Sequence, residues 1–99
     1  MDILVNNAGT GLLHPFEDND IAEETRHLKL HVETAMQLTH AALQGMLSRR
    51  SGRIINVASV AGLVPGRGST YSGTKAYVVA FTEGLANGLD GTGVRIQAL

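Results

Sequence analysis

The chain contains no cysteine. That excludes disulfides, thiol nucleophiles and cysteine-ligated metals, and it fits a reducing compartment, so a cytoplasmic protein is expected. An excess of one charge is also lacking. Lys and Arg number 8 against 9 Asp and Glu, for a formal net charge of −1 with His neutral. Nothing in that balance favours nucleic acid or an anionic membrane surface. Aromatics are few, Tyr 2 and Phe 2 with no Trp. They make no stacking platform for nucleic acid, and Phe16, Tyr77 and Phe81 read as core or interface residues. No segment approaches the roughly 20 apolar residues of a membrane helix. The start Met1-Asp2-Ile3-Leu4-Val5 has no basic stretch leading into an apolar one, so no secretory signal is expected.

What is present suits a folded chain. Hydrophobic residues make up 43% and charged residues 17%, which argues against disorder. At 99 residues there is room for one small domain, taken as 1–99. Glycine is abundant at 12, and most of it falls at junctions, such as Gly9, Gly52, Gly62, Gly66, Gly91 and Gly93.

The apolar pattern gives the order of elements. Ile3-Leu4-Val5 reads as a buried strand running into the turn Asn6-Asn7-Ala8-Gly9. Asp20 and Glu23 have the spacing of a capping box. Leu28, Val32, Ala35, Leu38, Ala42 and Met46 recur every three or four residues, which predicts a helix with that stripe buried. Arg49, Arg50 and Gly52 suit its end. Arg53-Ile54-Ile55-Asn56-Val57 is a second strand. A helix is predicted from about Tyr71 to Leu89, with Val78, Phe81, Leu85 and Leu89 inward. Gly84 and Gly88 each weaken it by roughly 1 kcal/mol relative to Ala, so either tight packing compensates or the end frays. Val94-Arg95-Ile96 is a third strand. The order β-α-β-α-β implies an α/β fold with a parallel sheet and right-handed crossovers.

Tyr71-Ser72-Gly73-Thr74-Lys75 carries the chemistry. On a helix, residues four apart share a face, which sets Lys75 beneath Tyr71. A phenol ordinarily titrates near pH 10, and a neighbouring cation favours its ionised form. A tyrosine tuned in this way can serve as general acid or base. Ser59, twelve residues before Tyr71, could hold the oxygen of a carbonyl or alcohol substrate. Taken one at a time, these residues have plainer readings. Tyr and Lys one turn apart are usually surface residues, and Ser59, Asn6 and Asn7 suit turns. His27 and His31 stand four apart, as zinc ligands on a helix can, but no third ligand and no H-E-x-x-H are evident, so no metal is expected. His14 and His40 read as surface residues.

Several motifs in order make a stronger case. Asn6-Asn7-Ala8-Gly9 follows one strand, Asn56-Val57-Ala58-Ser59 ends the next, Ala61-Gly62 comes after it, and Tyr71-x-x-x-Lys75 opens a helix. With these the chain resembles the central portion of the short-chain dehydrogenase/reductase family. The resemblance implies a partial Rossmann-like, doubly wound parallel sheet. It implies an NAD(P)-dependent oxidoreductase acting on a small carbonyl or alcohol, with NADP slightly favoured over NAD. By the same resemblance, Ser59 orients the substrate oxygen and Tyr71 exchanges the proton. Lys75 supports the phenolate and bonds the nicotinamide ribose. Asn7, Ala8 and Gly9 line the cofactor side. The family usually has an asparagine where this chain has His31. The family's glycine-rich cofactor turn has no counterpart, since Gly9-Thr10-Gly11 and Gly66-Arg67-Gly68 lack the spacing. The chain by itself is therefore expected to be a poor enzyme with an open, apolar sheet edge at Ile3–Val5. A non-catalytic binding or interaction module is the alternative. The two long helices are expected to build a homo-oligomer interface in the full-length protein.

Overall fold

A computed structural model describes residues 2–6, 14–57 and 69–99. Three strands form one parallel sheet: β1 (Ile3–Asn6), β2 (Gly52–Asn56) and β3 (Val94–Ala98), in the order β1-β2-β3. Ile3 to Asn6 pair with Arg53 to Asn56, and Gly52 to Asn56 pair with Val94 to Ala98. β1 is thus an edge, as expected, with Ile3 59% and Val5 54% exposed.

The first crossover is a nearly continuous helix. It comprises α1 (Ile21–Leu28), a π-helical turn (Lys29–Glu33) and α2 (Thr34–Arg49). The second is α3 (Ser69–Gly88). Consecutive right-handed crossovers that add strands in one direction put their helices on the same face of the sheet. The core confirms this: Leu43 and Met46 of α2 meet Ile54, Val94, Ile96 and Leu89, with Leu4 and Leu85 packed against them. Full burial of such side chains contributes roughly 1.5–3 kcal/mol each. On the opposite face of the sheet, Ile3, Val5, Arg53 and Arg95 remain exposed.

The first helix departs from the expected stripe. Its buried residues are Glu24, His27, His31, Ala35, Thr39, Leu43 and Met46. Leu28 and Leu38, expected inside, are 49% and 45% exposed. The π turn explains why His27 is buried in place of Leu28; within α2, Thr39 takes the buried place beside Leu38. Thr34 N–H donates to the Lys29 carbonyl five residues back, so one extra residue is spent and the buried face shifts. The helix then offers polar groups to α3, which answers with Tyr71, Thr74, Lys75, Val78 and Thr82.

Three smaller expectations also change. Asp20 is the N-cap of α1, but its side chain makes no cap bond, and its carbonyl accepts from the Glu23 and Glu24 N–H groups instead. The left-handed residue ending α2 is Arg50, at φ 55°, two residues before the expected glycine. Its N–H and that of Ser51 close on Leu47 and Met46, and its guanidinium donates to the Gly91 carbonyl at 3.1 Å. Gly93, at φ 86°, lies so close that a Cβ there would collide with the Arg50 carbonyl. Phe16 is exposed, whereas Tyr77 and Phe81 stack 5.3 Å apart.

Candidate active site

The site lies at the carboxyl ends of β1 and β2, where parallel α/β sheets commonly bind ligands. Tyr71 and Lys75 share the inner face of α3 near its start, and each is 4% exposed. Thr74 Oγ1 donates to the Tyr71 carbonyl at 2.7 Å and ties this turn of the helix together. Lys75 Nζ lies 5.5 Å from the Tyr71 ring centroid and donates to the Val57 carbonyl at 3.3 Å, just past the end of β2. The one-face geometry read from the sequence is therefore present. Burial pushes the Lys75 ammonium below its ordinary range.

His31 joins this pair. It is 2% exposed, at the centre of the π turn, and its ring is 5.8 Å from that of Tyr71. His27, one turn earlier, is 4.1 Å from His31 and 5.7 Å from Tyr71 between ring centroids. Burial lowers the His27 pKa, Glu24 pulls it back up, and the Lys75 charge lowers it further. The i, i+4 spacing of the two histidines was visible in the sequence. Their packing on Tyr71 depends on which face α3 covers, and that was not visible. Among the described residues, no group of three His, Cys, Asp or Glu side chains is placed to hold a metal ion. His14 and His40 are exposed.

A buried polar ladder fixes the floor. Asn6 Nδ2 donates to Asn56 Oδ1 at 2.8 Å and to Thr39 Oγ1 at 3.3 Å, and Asn56 Nδ2 donates to Thr82 Oγ1 at 3.0 Å. The ladder joins α2, β1, β2 and α3 at the strand ends that carry the site. Neither threonine was singled out from sequence, because each stands on a helix face whose partner was unknown. A cleft of about 220 Å³ opens beside the ladder, bordered by Asn6, His31, Asn56, Val57 and Lys75. Its size is below the roughly 300–1,000 Å³ of complete ligand pockets. Ser59, Asn7, Ala8 and Gly9 lie outside the described residues. Among the described residues, no helix is long and apolar enough to cross a membrane.

Comparison with known proteins agrees with the motifs. The family model described as short chain dehydrogenase matches residues 1–99. The chain is 38% identical over 99 residues to a Haemophilus influenzae protein named "Probable NADP-dependent dehydrogenase", covering 98% of this chain and 39% of that one. It is 37% identical over 100 residues to the ketoacyl reductase HetN of a Nostoc species, covering 100% of this chain and 35% of the relative. Among solved structures, the bulky-bulky ketone specific alcohol dehydrogenase of Comamonas testosteroni superposes with a TM-score of 0.90 at 31% identity, over 99% of this chain and 41% of that one. A 3-oxoacyl-[acyl-carrier protein] reductase of Brucella melitensis with bound NAD superposes with a TM-score of 0.88 at 29% identity, over 98% and 40%. This sequence thus spans well under half the length of these relatives. Over that span, motif order, strand topology and family match agree, and the chain belongs to the short-chain dehydrogenase family.

Proposed function

We propose that the protein containing residues 1–99 as part of its nucleotide-binding domain is an NAD(P)-dependent oxidoreductase interconverting a small carbonyl compound and its alcohol. The observation that carries this reading is the buried Tyr71–Lys75 pair, with Lys75 Nζ 5.5 Å from the ring and anchored at the end of β2. In this reading Tyr71 donates a proton to the carbonyl oxygen in reduction and accepts one from the alcohol in oxidation. Lys75 stabilises the phenolate and bonds the nicotinamide ribose. Ser59 orients the substrate oxygen, and Asn7, Ala8 and Gly9 border the cofactor. The nicotinamide, when bound, supplies or takes the hydride. His31 occupies the place of the family's usual asparagine and keeps a donor and an acceptor there.

NADP is slightly favoured, on the name of the Haemophilus relative. Two relatives act on ketoacyl groups by name, so a 3-oxoacyl compound is a natural first substrate to try. A cytoplasmic location fits the lack of cysteine. Homo-oligomerisation through the long helices fits the exposed Leu28, Leu30, Met36 and Leu38 on the first of them.

The test is hydride transfer by the full-length protein, with NADH or NADPH and a panel of ketones. Tyr71→Phe is expected to lower kcat about 100-fold or more. Full turnover in that variant would refute the role of Tyr71. Cofactor binding without turnover would favour a non-catalytic module. His31→Asn tests the relay position, and unchanged turnover would show that the histidine there is neutral to the chemistry.

A further inference from the structure

Among the described residues, helices cover only one face of the sheet. Parallel sheets occur almost only with both faces covered. Residues two apart on a strand point the same way, so the bare face presents its side chains in rows. Ile3, Arg53 and Arg95 stand in register across the three strands, and Val5, Ile55 and Gln97 form the next row. Arg53 and Arg95 are direct neighbours on strands about 4.8 Å apart. Like charges placed opposite each other in a sheet repel. Both side chains are exposed, and among the described residues neither guanidinium has a hydrogen bond or ion pair. A groove of about 440 Å³ is bordered by Arg53, Arg95 and Gln97. Asp90 also borders it, without reaching either arginine.

We propose that this face is covered by a segment of the full-length chain outside residues 1–99, and that an acidic side chain of that segment is clamped between Arg53 and Arg95. The inference rests on the reading of residues 1–99 as part of a longer domain, and it concerns a surface the redox chemistry does not use. The relatives have the length for such a segment, since this chain spans 39% of one and 41% of another.

The charges select the occupant. A segment lying over Ile3, Val5 and Ile55 takes apolar surface out of water, which favours docking. The same segment takes water from two guanidinium groups, and arginine does not give up its proton. Buried charges need partners of opposite sign. The two oxygens of a carboxylate can accept the forked N–H groups of both arginines, and its charge offsets their repulsion. A hydroxyl or amide would accept hydrogen bonds and leave the two like charges facing each other. A second copy of this face would add two more arginines. Arg53 and Arg95 are each the second residue of their strand. The clamp therefore lies at the amino ends of the strands, away from Tyr71 and Lys75, and sets where the covering segment docks.

The test uses the full-length protein. Phenylglyoxal condenses with accessible guanidinium groups, and peptide mass mapping follows Arg53 and Arg95 in folded and urea-unfolded protein. Both are expected to react at least about tenfold more slowly when folded. Equal rates overturn the proposal. Arg53→Lys and Arg95→Lys then put an amine where each guanidinium stood, and a water-soluble carbodiimide joins it to a carboxylate in contact. The expected product is an amide from position 53 or 95 to an Asp or Glu outside residues 1–99. A cross-link to Asp90, a cross-link to another copy of the chain, or none from either position overturns the clamp. If the lysine variants do not fold, the phenylglyoxal rates of the unsubstituted protein still decide whether the face is covered. Hydride transfer by a protein whose two arginines react freely overturns the clamp alone. Protected, cross-linked arginines in a protein without hydride transfer refute the redox reading alone.

Discussion

Replacing Asn56 with alanine tests whether the polar ladder holds the strand ends together. Asn56 is 1% exposed, accepts from Asn6 at 2.8 Å and donates to Thr82 at 3.0 Å. The alanine removes both bonds, each contributing about 1 kcal/mol net. It also leaves Thr82 Oγ1, in a residue 2% exposed, without that donor, at about 1–2 kcal/mol. Asn6 Nδ2 keeps Thr39 at 3.3 Å, so its loss is partial. The sum is about 3–4 kcal/mol, a large share of the roughly 5–15 kcal/mol expected for a domain of this size. Urea unfolding followed by far-UV circular dichroism reads it as a lower midpoint with unchanged slope. Thr82→Val leaves the buried Asn56 Nδ2 without its acceptor, so it too is expected to cost about 2–3 kcal/mol. An Asn6/Asn56 double-mutant cycle is expected to show coupling of about 1 kcal/mol. If Asn56→Ala costs less than about 1 kcal/mol, the ladder is not what fixes the strand ends and the reasoning fails.

Gly93→Ala puts a Cβ against the Arg50 carbonyl at a φ of 86°, and is expected to cost about 2–4 kcal/mol in the same assay. Gly84→Ala goes the other way. Nothing lies within 4 Å of a Cβ at that helix position, so neither tight packing nor a strained turn requires glycine there. A stabilisation of about 0.5–1 kcal/mol is expected, and a loss would expose a contact with a group outside the described residues. Burial depresses the His27 pKa below the ordinary histidine value of 6.5. Below pH 6.5 the unfolded chain therefore binds a proton that the folded one resists, and stability falls as the pH falls. The slope contributed by this one group is at most about 1.4 kcal/mol per pH unit, complete once the folded value is passed. Urea midpoints measured between neutral and mildly acidic pH should fall less steeply in His27→Gln, and an equal slope would count against the assignment.

The strands and helices were legible because their signals are local. Ile3–Val5, Arg53–Val57 and Val94–Ile96 are short apolar runs between turn residues, and they became the three paired strands. Tyr71 and Lys75 were legible because i, i+4 spacing on a helix fixes a shared face. The buried face of the first helix was not. Periodicity placed Leu28 inside, and a π turn that no spacing rule announces rotated Glu24 and His27 there instead. Thr39 and Thr82 were missed for a related reason. A threonine on a helix becomes a ladder rung only when a strand-end asparagine stands opposite, and that juxtaposition is tertiary.

The π turn also works as an angular adjuster. Each residue of an α-helix advances the chain by about 100°. Were Lys29–Glu33 ordinary α-helix with no residue lost, the segment before it would turn by about that angle relative to α2. Glu24 and His27 would swing away from α3, while Ala35, Thr39, Leu43 and Met46 kept their places on the sheet. The sheet-packing half of this helix and its tyrosine-facing half are therefore brought into phase by one wide turn, and that turn decides whether two ionisable side chains meet Tyr71 or solvent.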